Sequence, residues 1–426
     1  MNLSFYNSFL NDLANQESQI TTLQQQISTG SIVQTAAQNP AAYETAALAT
    51  DQINQLNNDT VTQGSIQVQL GTANGVYSSI TSLLDNVQSV VEQGLNVTSN
   101  SQNLNSLAEQ VQSAGQQLLS LGNTQLPDGN YLFGGTRGNV QPFQADSSGT
   151  IAYFGDSGQS QATIDDGTMA NTLVNGDALT FALAGDGTSV ITASNDNTGT
   201  GQIQQTGLSN VGQANAFQAG SNQIQISFSK NANGELTYTA TEFPGSFSNV
   251  NGQSVFTLTQ GATGTKLASG QVSASADDGT DLNIKGMNFQ ITGSPKAGDN
   301  FNITPARPQT AFALLQKISS ALSSARGTPA QAAKTNQELN QYLAGISQYQ
   351  QSITTAQAQN GVTLQALSNA KTDSSAQQTA AQTTINNATA VNMPAAITAL
   401  NQSMTALEAA MKTFSEVQNL SLFKYL

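Results

Sequence analysis

Carboxylate pairs are the side chains of this chain best spaced to do chemistry. Asp165 with Asp166, and Asp277 with Asp278 and Asp281, are the candidates for a paired acid and base. All lie in Gly-flanked turns, where Asp is favoured because its side chain bonds the local backbone, and no second feature accompanies them. The run Asp277-Asp278-Gly279-Thr280-Asp281 also invites comparison with a calcium loop. It lacks the EF-hand spacing and the bidentate Glu that closes such a loop. The chain contains neither His nor Cys, which excludes Ser-His and Cys-His nucleophiles, an imidazole poised near neutral pH, disulfides and thiolate metal sites. Gly199 and Gly201 match no phosphate-cradling pattern of strand, turn and helix. The sequon at Asn58 to Thr60 carries no meaning without a eukaryotic secretory route. The expectation is therefore a non-enzyme, with no catalytic, cofactor or metal site.

Composition narrows the partners. At 426 residues the chain can bury a sizeable core, and about 150 residues per domain gives two to four domains. Only 9% of residues are charged, so the surface must be built mainly of Asn, Gln, Ser and Thr. A net charge of -14 and a pI near 4.1 leave no basic field for phosphates, which argues against nucleic acid and anionic membranes as partners. No apolar run reaches the roughly 18 residues that a membrane span requires. The start, Met-Asn-Leu-Ser-Phe-Tyr, lacks the basic and apolar regions of a secretory signal. Composition alone points to the cytoplasm, and the alternative is export by a route that reads another signal.

The elements that carry these residues fall into three parts. From Leu3 to about Gly122 the apolar residues recur at three and four. Tyr6, Phe9, Leu13, Ile20, Leu23 and Ile27 share one seam, with Gln16 as its polar member, and Ser28-Thr29-Gly30 ends that helix. After Pro40 a second helix runs through Ile53, Leu56, Val76, Ile80, Leu83, Val87 and Val90, and a third through Leu104, Leu107, Val111, Leu118 and Leu121. From about Gln141 to Pro305 the period changes to two. Ile224, Ile226 and Phe228 alternate with Gln and Ser, Asn231 to Gly234 turn the chain, and Leu236 and Tyr238 resume, which predicts a β-hairpin. Further strands are predicted at Leu179 to Leu183, Phe256 to Leu258, Met287 to Ile291 and Phe301 to Ile303. Past Pro308 the helical period returns in Phe312, Leu315, Ile318 and Leu322, in a Gln- and Ala-rich helix from Thr328 to about Ala390, and in a closing heptad of Ile397, Leu400, Met404, Leu407, Met411 and Phe414.

The fold class expected is α+β: a long antiparallel helical bundle or coiled coil drawn from both ends of the chain, with an inserted β-rich domain. Its divisions are 1–38 with 390–426, 39–140 with 306–389, and 141–305 as one lobe or as two, about 141–190 and 191–305. Each apolar stripe taken singly reads as an ordinary bundle core, because a buried Leu or Ile gains about 1.5 to 3 kcal/mol whichever helix covers it. Stripes carried to both ends, where chains usually fray, argue instead for partner helices on neighbouring subunits. The assembly interface expected on this ground comprises Phe9, Leu13, Ile20, Leu23 and Ile27 with Ile397, Leu400, Met404, Leu407, Met411, Phe414, Leu420, Leu422 and Phe423.

Several stretches resemble the hook-associated protein 3 (FlgL) family, the flagellar hook-to-filament junction proteins related to flagellin. QQQISTG at 24–30 with Asn39-Pro40-Ala41-Ala42 is similar to the family's first helix and the turn into the next. The chain departs there, with Ala36-Ala37-Gln38-Asn39-Pro40 where the family commonly has Pro-Ser-Asp-Asp-Pro. The most specific stretch is GNTQLPDGNYLFGGTRGNVQPF at 122–143. Its Tyr131, Phe133, Gly134 and Gly135, with Pro142 and Phe143, resemble the family's exit from the bundle into the variable domain. FSEVQNLSLFKYL at 414–426 resembles the closing helix and tail, and GMNFQITGSPKAGDNFNITP at 286–305 the end of the insertion in several hook-associated proteins.

The resemblance implies a rod of stacked domains, innermost the paired terminal helices, and an extracellular subunit that leaves through the flagellar export apparatus without a cleaved signal peptide. It implies a ring of copies of itself between hook-associated protein 1 and the first flagellins, and a cytoplasmic export chaperone on the C-terminal helix. No cofactor is implied. Two rival functions are flagellin, the filament subunit itself, and a surface adhesin or glycan-binding module on a helical stalk.

Overall fold

A computed structural model describes residues 3–96, 101–147, 149–158, 160–165, 168–250, 253–273, 279–324 and 326–422. Helix α1 (Leu3–Thr29), α2 (Pro40–Asn96) and α3 (Ser101–Gly122) open the chain. Strands β1 (Phe143–Ala145), β2 (Ile151–Tyr153), β3 (Gln161–Asp165) and β4 (Thr168–Asn171) follow as two short hairpins, then the single turn α4 (Asp177–Thr180). Next come β5 (Ser189–Ala193), β6 (Gln202–Leu208), helix α5 (Val211–Ala219), β7 (Gln223–Lys230), β8 (Leu236–Phe243), β9 (Gly245–Val250), β10 (Gln253–Leu258), β11 (Thr265–Gln271), β12 (Thr280–Ile284), β13 (Met287–Thr292) and β14 (Asn300–Pro305). Helices α6 (Ala311–Leu322), α7 (Pro329–Thr389) and α8 (Met393–Leu422) close it. The class is α+β, with long helices at both ends and a β-rich middle.

The chain forms two compact units. One consists of Met1–Gly64, Thr163–Thr168 and Ser368–Leu426. Its helices start and stop where local chemistry requires. Gly30 closes α1 at φ 73°, a left-handed conformation that costs glycine little. Asn39 caps α2, its Oδ1 accepting from the Ala42 amide at 3.2 Å, and Pro40 takes the first helical position, where its missing N–H costs nothing. Asn392 caps α8 in the same way, accepting from Ala395 at 3.2 Å, with Pro394 just inside. Gln63 is buried, donating from Nε2 to the Ile164 carbonyl and, at 3.2 Å, to the Ser374 hydroxyl.

The second unit consists of Ser65–Ala162 and Met169–Leu367. Its helical core gathers Tyr77, Ile80, Leu84 and Val91 of α2, Val111 and Leu118 of α3, Ile318 and Leu322 of α6, and Leu339, Ile346, Tyr349 and Ile353 of α7, all buried to within a few per cent. Burial pushes the Tyr349 hydroxyl well above the ordinary phenol range, and it donates to the Gln309 carbonyl. The β-rich part holds a five-stranded antiparallel sheet, in the order β11-β8-β7-β14-β5, and a three-stranded sheet, β12-β13-β6. The inward residues of both sheets pack with Ala214 and Phe217 of α5 into one apolar core. The β7–β8 hairpin pairs Ser227 with Thr239 and Phe228 with Tyr238, and turns at Asn231 to Gly234, as the alternation predicts. Gln337 of α7, itself buried, serves the edge strand β6 as a surrogate strand. Its Oε1 accepts from the Ile203 amide at 2.7 Å and its Nε2 donates to the Ile203 carbonyl at 2.5 Å.

The strand expected at Leu179 to Leu183 is not formed. Residues 177–180 make a helical turn in which the Thr180 hydroxyl donates back to the Gly176 carbonyl at 3.1 Å. Leu183 reaches a single isolated bridge to Pro308. The Ala184 amide donates to the Arg307 carbonyl and the Gln309 amide to the Ala182 carbonyl, but residues 177–180 are helical on one side and Thr310 caps α6 on the other, so the pairing stops at that bridge.

Candidate assembly surfaces

On α1, Phe9, Leu13, Gln16, Ile20, Leu23 and Ile27 are half-buried among mostly exposed neighbours. They face α8. Phe9 stacks on Phe414 with ring centroids 4.3 Å apart and planes within 4°, and Tyr6 lies 5.9 Å from the same ring. At the opposite end Ser31 bridges Ala390, the Ile32 amide donates to Thr389 at 2.7 Å, and the Val391 amide donates to Gly30 at 3.0 Å. These two sets of contacts make the helices antiparallel. The backbone bonds lock one end of the pair, and the aromatic stack sits at the other.

The closing heptad of α8 divides into two rows. Leu400, Leu407 and Phe414 are half-buried against α1, together with the small residues Ala399, Ser403 and Ala410 and the buried Ala396. Ile397, Met404 and Met411 remain 47%, 44% and 50% exposed. The reason is angular. At 100° per residue the 397/404/411 row stands roughly 60 to 100° around the helix from the middle of the inward stripe. Leu400, Leu407 and Phe414 share the inner places with Ala396, Ala399, Ser403 and Ala410, and Ile397, Met404 and Met411 stand outside them on the flank. Met393, 41% exposed, extends that row, and Leu10, 41% exposed, stands on the flank of α1. The side chains of Leu420, Leu422 and Phe423, also expected at the interface, lie outside the described residues.

The second surface is built on residues 122–143. Phe133 is fully buried against Tyr77 of α2, 5.4 Å between centroids, and Leu132 lies buried beside it. Burial pushes the Tyr77 hydroxyl well above its usual range. Tyr131 is half-buried, its amide donating to Gly138 at 2.7 Å, and the Leu132 amide donates to Thr124 at 2.9 Å. Gly134 is closely packed, and Gly135 has φ 63°, with the carbonyl of Asp156 2.2 Å from where a Cβ would stand. That position therefore admits only glycine. Pro142 is buried and its carbonyl accepts from Phe154 at 2.7 Å. Phe143 is fully buried between Tyr153 and Phe312, with centroids 5.1 and 5.0 Å away. Asn123 at the end of α3 bonds both backbone groups of Phe143, accepting at 3.0 Å and donating at 2.9 Å.

Three residues that sequence reasoning did not single out hold this knot together. The Tyr153 hydroxyl donates to the Phe133 carbonyl at 2.9 Å and accepts from the Gly176 amide at 3.0 Å. Burial, with smaller contributions from Asp177 and Asp156, pushes its pKa up to about 12, against the opposing bond from Gly176. Asp156 accepts from the Thr136 hydroxyl and amide and from the Gly158 amide, which holds its carboxyl below the usual range. Arg137 donates to the Phe154 carbonyl at 3.1 Å. No spacing rule marks these partners in advance, because they converge from loops about twenty residues apart. Of the carboxylates first considered for chemistry, Asp281 accepts from Gln290 on the neighbouring strand at 3.2 Å, and Asp165 ends β3. Asp166, Asp277 and Asp278 lie outside the described residues. Among the described residues no three acidic side chains gather as a metal set, and no helix is long and apolar enough to cross a membrane.

Residues 2–137 match the family model of the bacterial flagellin N-terminal helical region. Among solved structures, the chain is similar to the flagellar hook-associated protein 3 of Legionella pneumophila at 23% identity and a TM-score of 0.67, over 80% of this chain and 98% of that one. It is similar to the flagellar junction protein FlgL of the same organism at 24% identity and a TM-score of 0.65, over 81% and 100%. It is also similar to FlgL of Xanthomonas campestris at 23% identity and a TM-score of 0.64, over 80% and 99%. A sequence search of curated proteins finds no match. The chain thus carries a flagellin-type N-terminal helical region and has the fold of the FlgL-type structures.

Proposed function

We propose that this chain is a structural subunit of the bacterial flagellum that joins the hook to the flagellin filament. The observation that carries the reading is the likeness in fold along nearly the whole length of solved junction proteins, combined with a flagellin-type N-terminal region. The mechanism is assembly, not catalysis. The α1–α8 pair covers one stripe of each helix and leaves Met393, Ile397, Met404 and Met411 uncovered in a continuous row. A neighbouring copy covers that row, and repetition of the contact closes a ring, with hook-associated protein 1 on one side and the first flagellins on the other. The expected interface residues act in two groups on this view, those that hold the pair together and those that meet the neighbour.

The subunit travels through the flagellar export channel largely unfolded, a route that suits a chain without cysteine, since no disulfide can lock it. An export chaperone covers the C-terminal helix before departure, and the protein's place of work is outside the cell. The three-part division at residues 38, 140, 305 and 389 is the domain organisation of that subunit. A second reading, the filament subunit itself, is favoured by the flagellin-type match at 2–137. Deletion of the gene tests the first reading against it. A junction subunit is needed in few copies, so the deletion strain should export flagellin into the medium and carry bare hooks. A strain that keeps attached filaments, or a chain found in thousands of copies per filament, would overturn the junction role.

A further inference from the structure

Helix α7 is 61 residues long, and its packing gives out in the middle. Leu339, Ile346, Tyr349 and Ile353 are fully buried before that point, and Leu367, Ala370, Ser374 and Ala381 are buried after it. Between Ile353 and Leu367 no residue is buried, and the inward stripe passes through Gln357, Asn360 and Leu364, all half-buried. The same stretch is poor in helix formers. Thr354, Thr355, Val362 and Thr363 lose rotamer freedom against the preceding turn, Asn360 competes for backbone bonds, and Gly361 gives up the most backbone freedom. The Thr354, Thr355 and Thr363 hydroxyls donate back to the carbonyls of Gln350, Gln351 and Gln359 at 2.8, 2.9 and 3.2 Å, a habit that weakens and bends helices. Packing does not explain the glycine. A Cβ at Gly345 of the same helix would meet Leu314 at 3.3 Å, and one at Gly94 of α2 would overlap Leu322, whereas a Cβ at Gly361 would meet nothing within 4 Å. Across the pair, Asn360 donates to the Asn74 side-chain oxygen and Gln357 to the Ser78 hydroxyl, both at 3.2 Å. Asn360-Gly361-Val362 therefore stands beside Asn74-Gly75-Val76, and Gly75 is open in the same way. There α2 is held on its other face, where Ala73, Val76 and Tyr77 are buried and Tyr77 packs on Phe133.

We propose that residues 354–366 of α7 form a joint, a segment that opens and bends locally while the packed stretches before and after it stay closed, with α2 as the continuous stay beside it. Little burial and weak intrinsic helicity put a segment at the low end of local stability, and glycine beside small polar residues is a recognised site of helix bending. The contacts that hold this level across the pair are amide and hydroxyl bonds. Water replaces such bonds at small net cost, which it cannot do for an apolar seam. In a subunit that links two larger bodies, as proposed above, bending load would be relieved at this level first. The joint itself does not depend on that role.

The test is hydrogen exchange, read by mass spectrometry on the purified full-length chain. Amides of residues 354–366 should exchange at least about tenfold faster than those of 340–353 and 368–381, while 72–80 of α2 stay protected. Gly361→Ala fits the open space and should slow exchange across 354–366 about fivefold. Adding Val362→Ala, at an exposed side chain, should slow it about threefold more. Thermolysin, which cuts ahead of apolar residues, should nick the native parent first before Val362 or Leu364, and the double variant more slowly. Protection across 354–366 equal to that of 340–353, or exchange there unchanged in both variants, would overturn the proposal. The two ideas fail separately, since exchange in the purified chain is read without any flagellum, and a deletion strain that keeps its filaments would leave the joint standing.

Discussion

Met404→Asp separates the stability of one subunit from its attachment to the next. Met404 is 44% exposed on the flank of α8 and makes no part of the stripe facing α1. In the free subunit the change should therefore stay near the surface norm, within about 0.5 kcal/mol. On the assembly proposed above, the remaining exposed surface of Met404 is the surface to be covered. Full burial of a Met is worth about 1.5 to 3 kcal/mol, so covering the outstanding part is worth about 1 kcal/mol, and the row of four about 4 kcal/mol per contact. The carboxylate adds more, since desolvating an unpaired charge costs several kcal/mol. The variant should thus melt like the parent and be secreted at the parent level. It should nevertheless fail to hold filaments when it replaces the parent gene, as scored by swimming in soft agar and by flagellin shed to the medium. Leu407→Asp provides the contrast. Leu407 lies in the seam, so that change should weaken the helix pair within the subunit as well as attachment. If Met404→Asp, or the double change with Met411→Asp, swims normally, the exposed row is not the surface that meets the neighbour.

Three further outcomes are expected. Tyr153 is raised from 10.0 to about 12, and Tyr77 and Tyr349 are also raised by burial; a raised phenol stabilises the fold fully below its unfolded pKa. Stability should therefore hold to about pH 10 and fall as pH rises toward 12, with tyrosinate absorbance appearing together with unfolding; tyrosinate formed without loss of helix would refute this. Gly135→Ala forces a side chain onto the Asp156 carbonyl at a left-handed position and should cost at least about 1 to 3 kcal/mol in a denaturant titration, with Gly129→Ala, which has open space at its Cβ, costing less. Residues 141–305 expressed alone should give β-type circular dichroism and a cooperative melt, and a featureless, non-cooperative spectrum would count against that boundary.

The helices were legible because their chemistry is local. Gly30 and Pro40 act within one turn of themselves, and three-and-four spacing needs no knowledge of a partner. The β7–β8 hairpin was legible for the same reason, with strict alternation on both sides of Asn231 to Gly234. Within the closing heptad, Leu400, Leu407 and Phe414 turn toward α1 while Ile397, Met404 and Met411 stay exposed. Heptad counting finds apolar rows but does not reveal which row the neighbouring helix covers, and Ala396, Ser403 and Ala410 look unremarkable until that helix is in place. Asn123 and Gln337 were invisible for a different reason. In a chain whose surface is mostly amide and hydroxyl, a half-buried Asn and a buried Gln that complete strand edges cannot be told from their solvated neighbours. Phe133 and Phe143 stood out through the family resemblance of the 122–143 stretch. Tyr153, which bonds the first and packs on the second, lies outside that stretch.

Stability is unevenly distributed between the ends of the chain and its middle, and the burial of individual side chains locates the difference. In the second compact unit, Ile80, Leu84, Val111, Ile318, Leu339 and Ile346 are essentially fully buried. Each contributes near the full 1.5 to 3 kcal/mol expected of its type. The inward residues of α1 and α8 are only half-buried, and one of them is Gln16. Each must offset about 1 to 2 kcal/mol of backbone entropy for every residue ordered, and a helix in water does not recover that without packing its apolar face. The terminal pair is therefore the part of the subunit whose closure depends most on surface supplied from outside. On the proposed assembly, a neighbour that covers Met393, Ile397, Met404 and Met411 supplies that surface and favours the closed pair by mass action. The same residues that make the ends weak in isolation make them responsive to assembly, because a segment already fully buried within its own chain would have nothing left to gain from a neighbour.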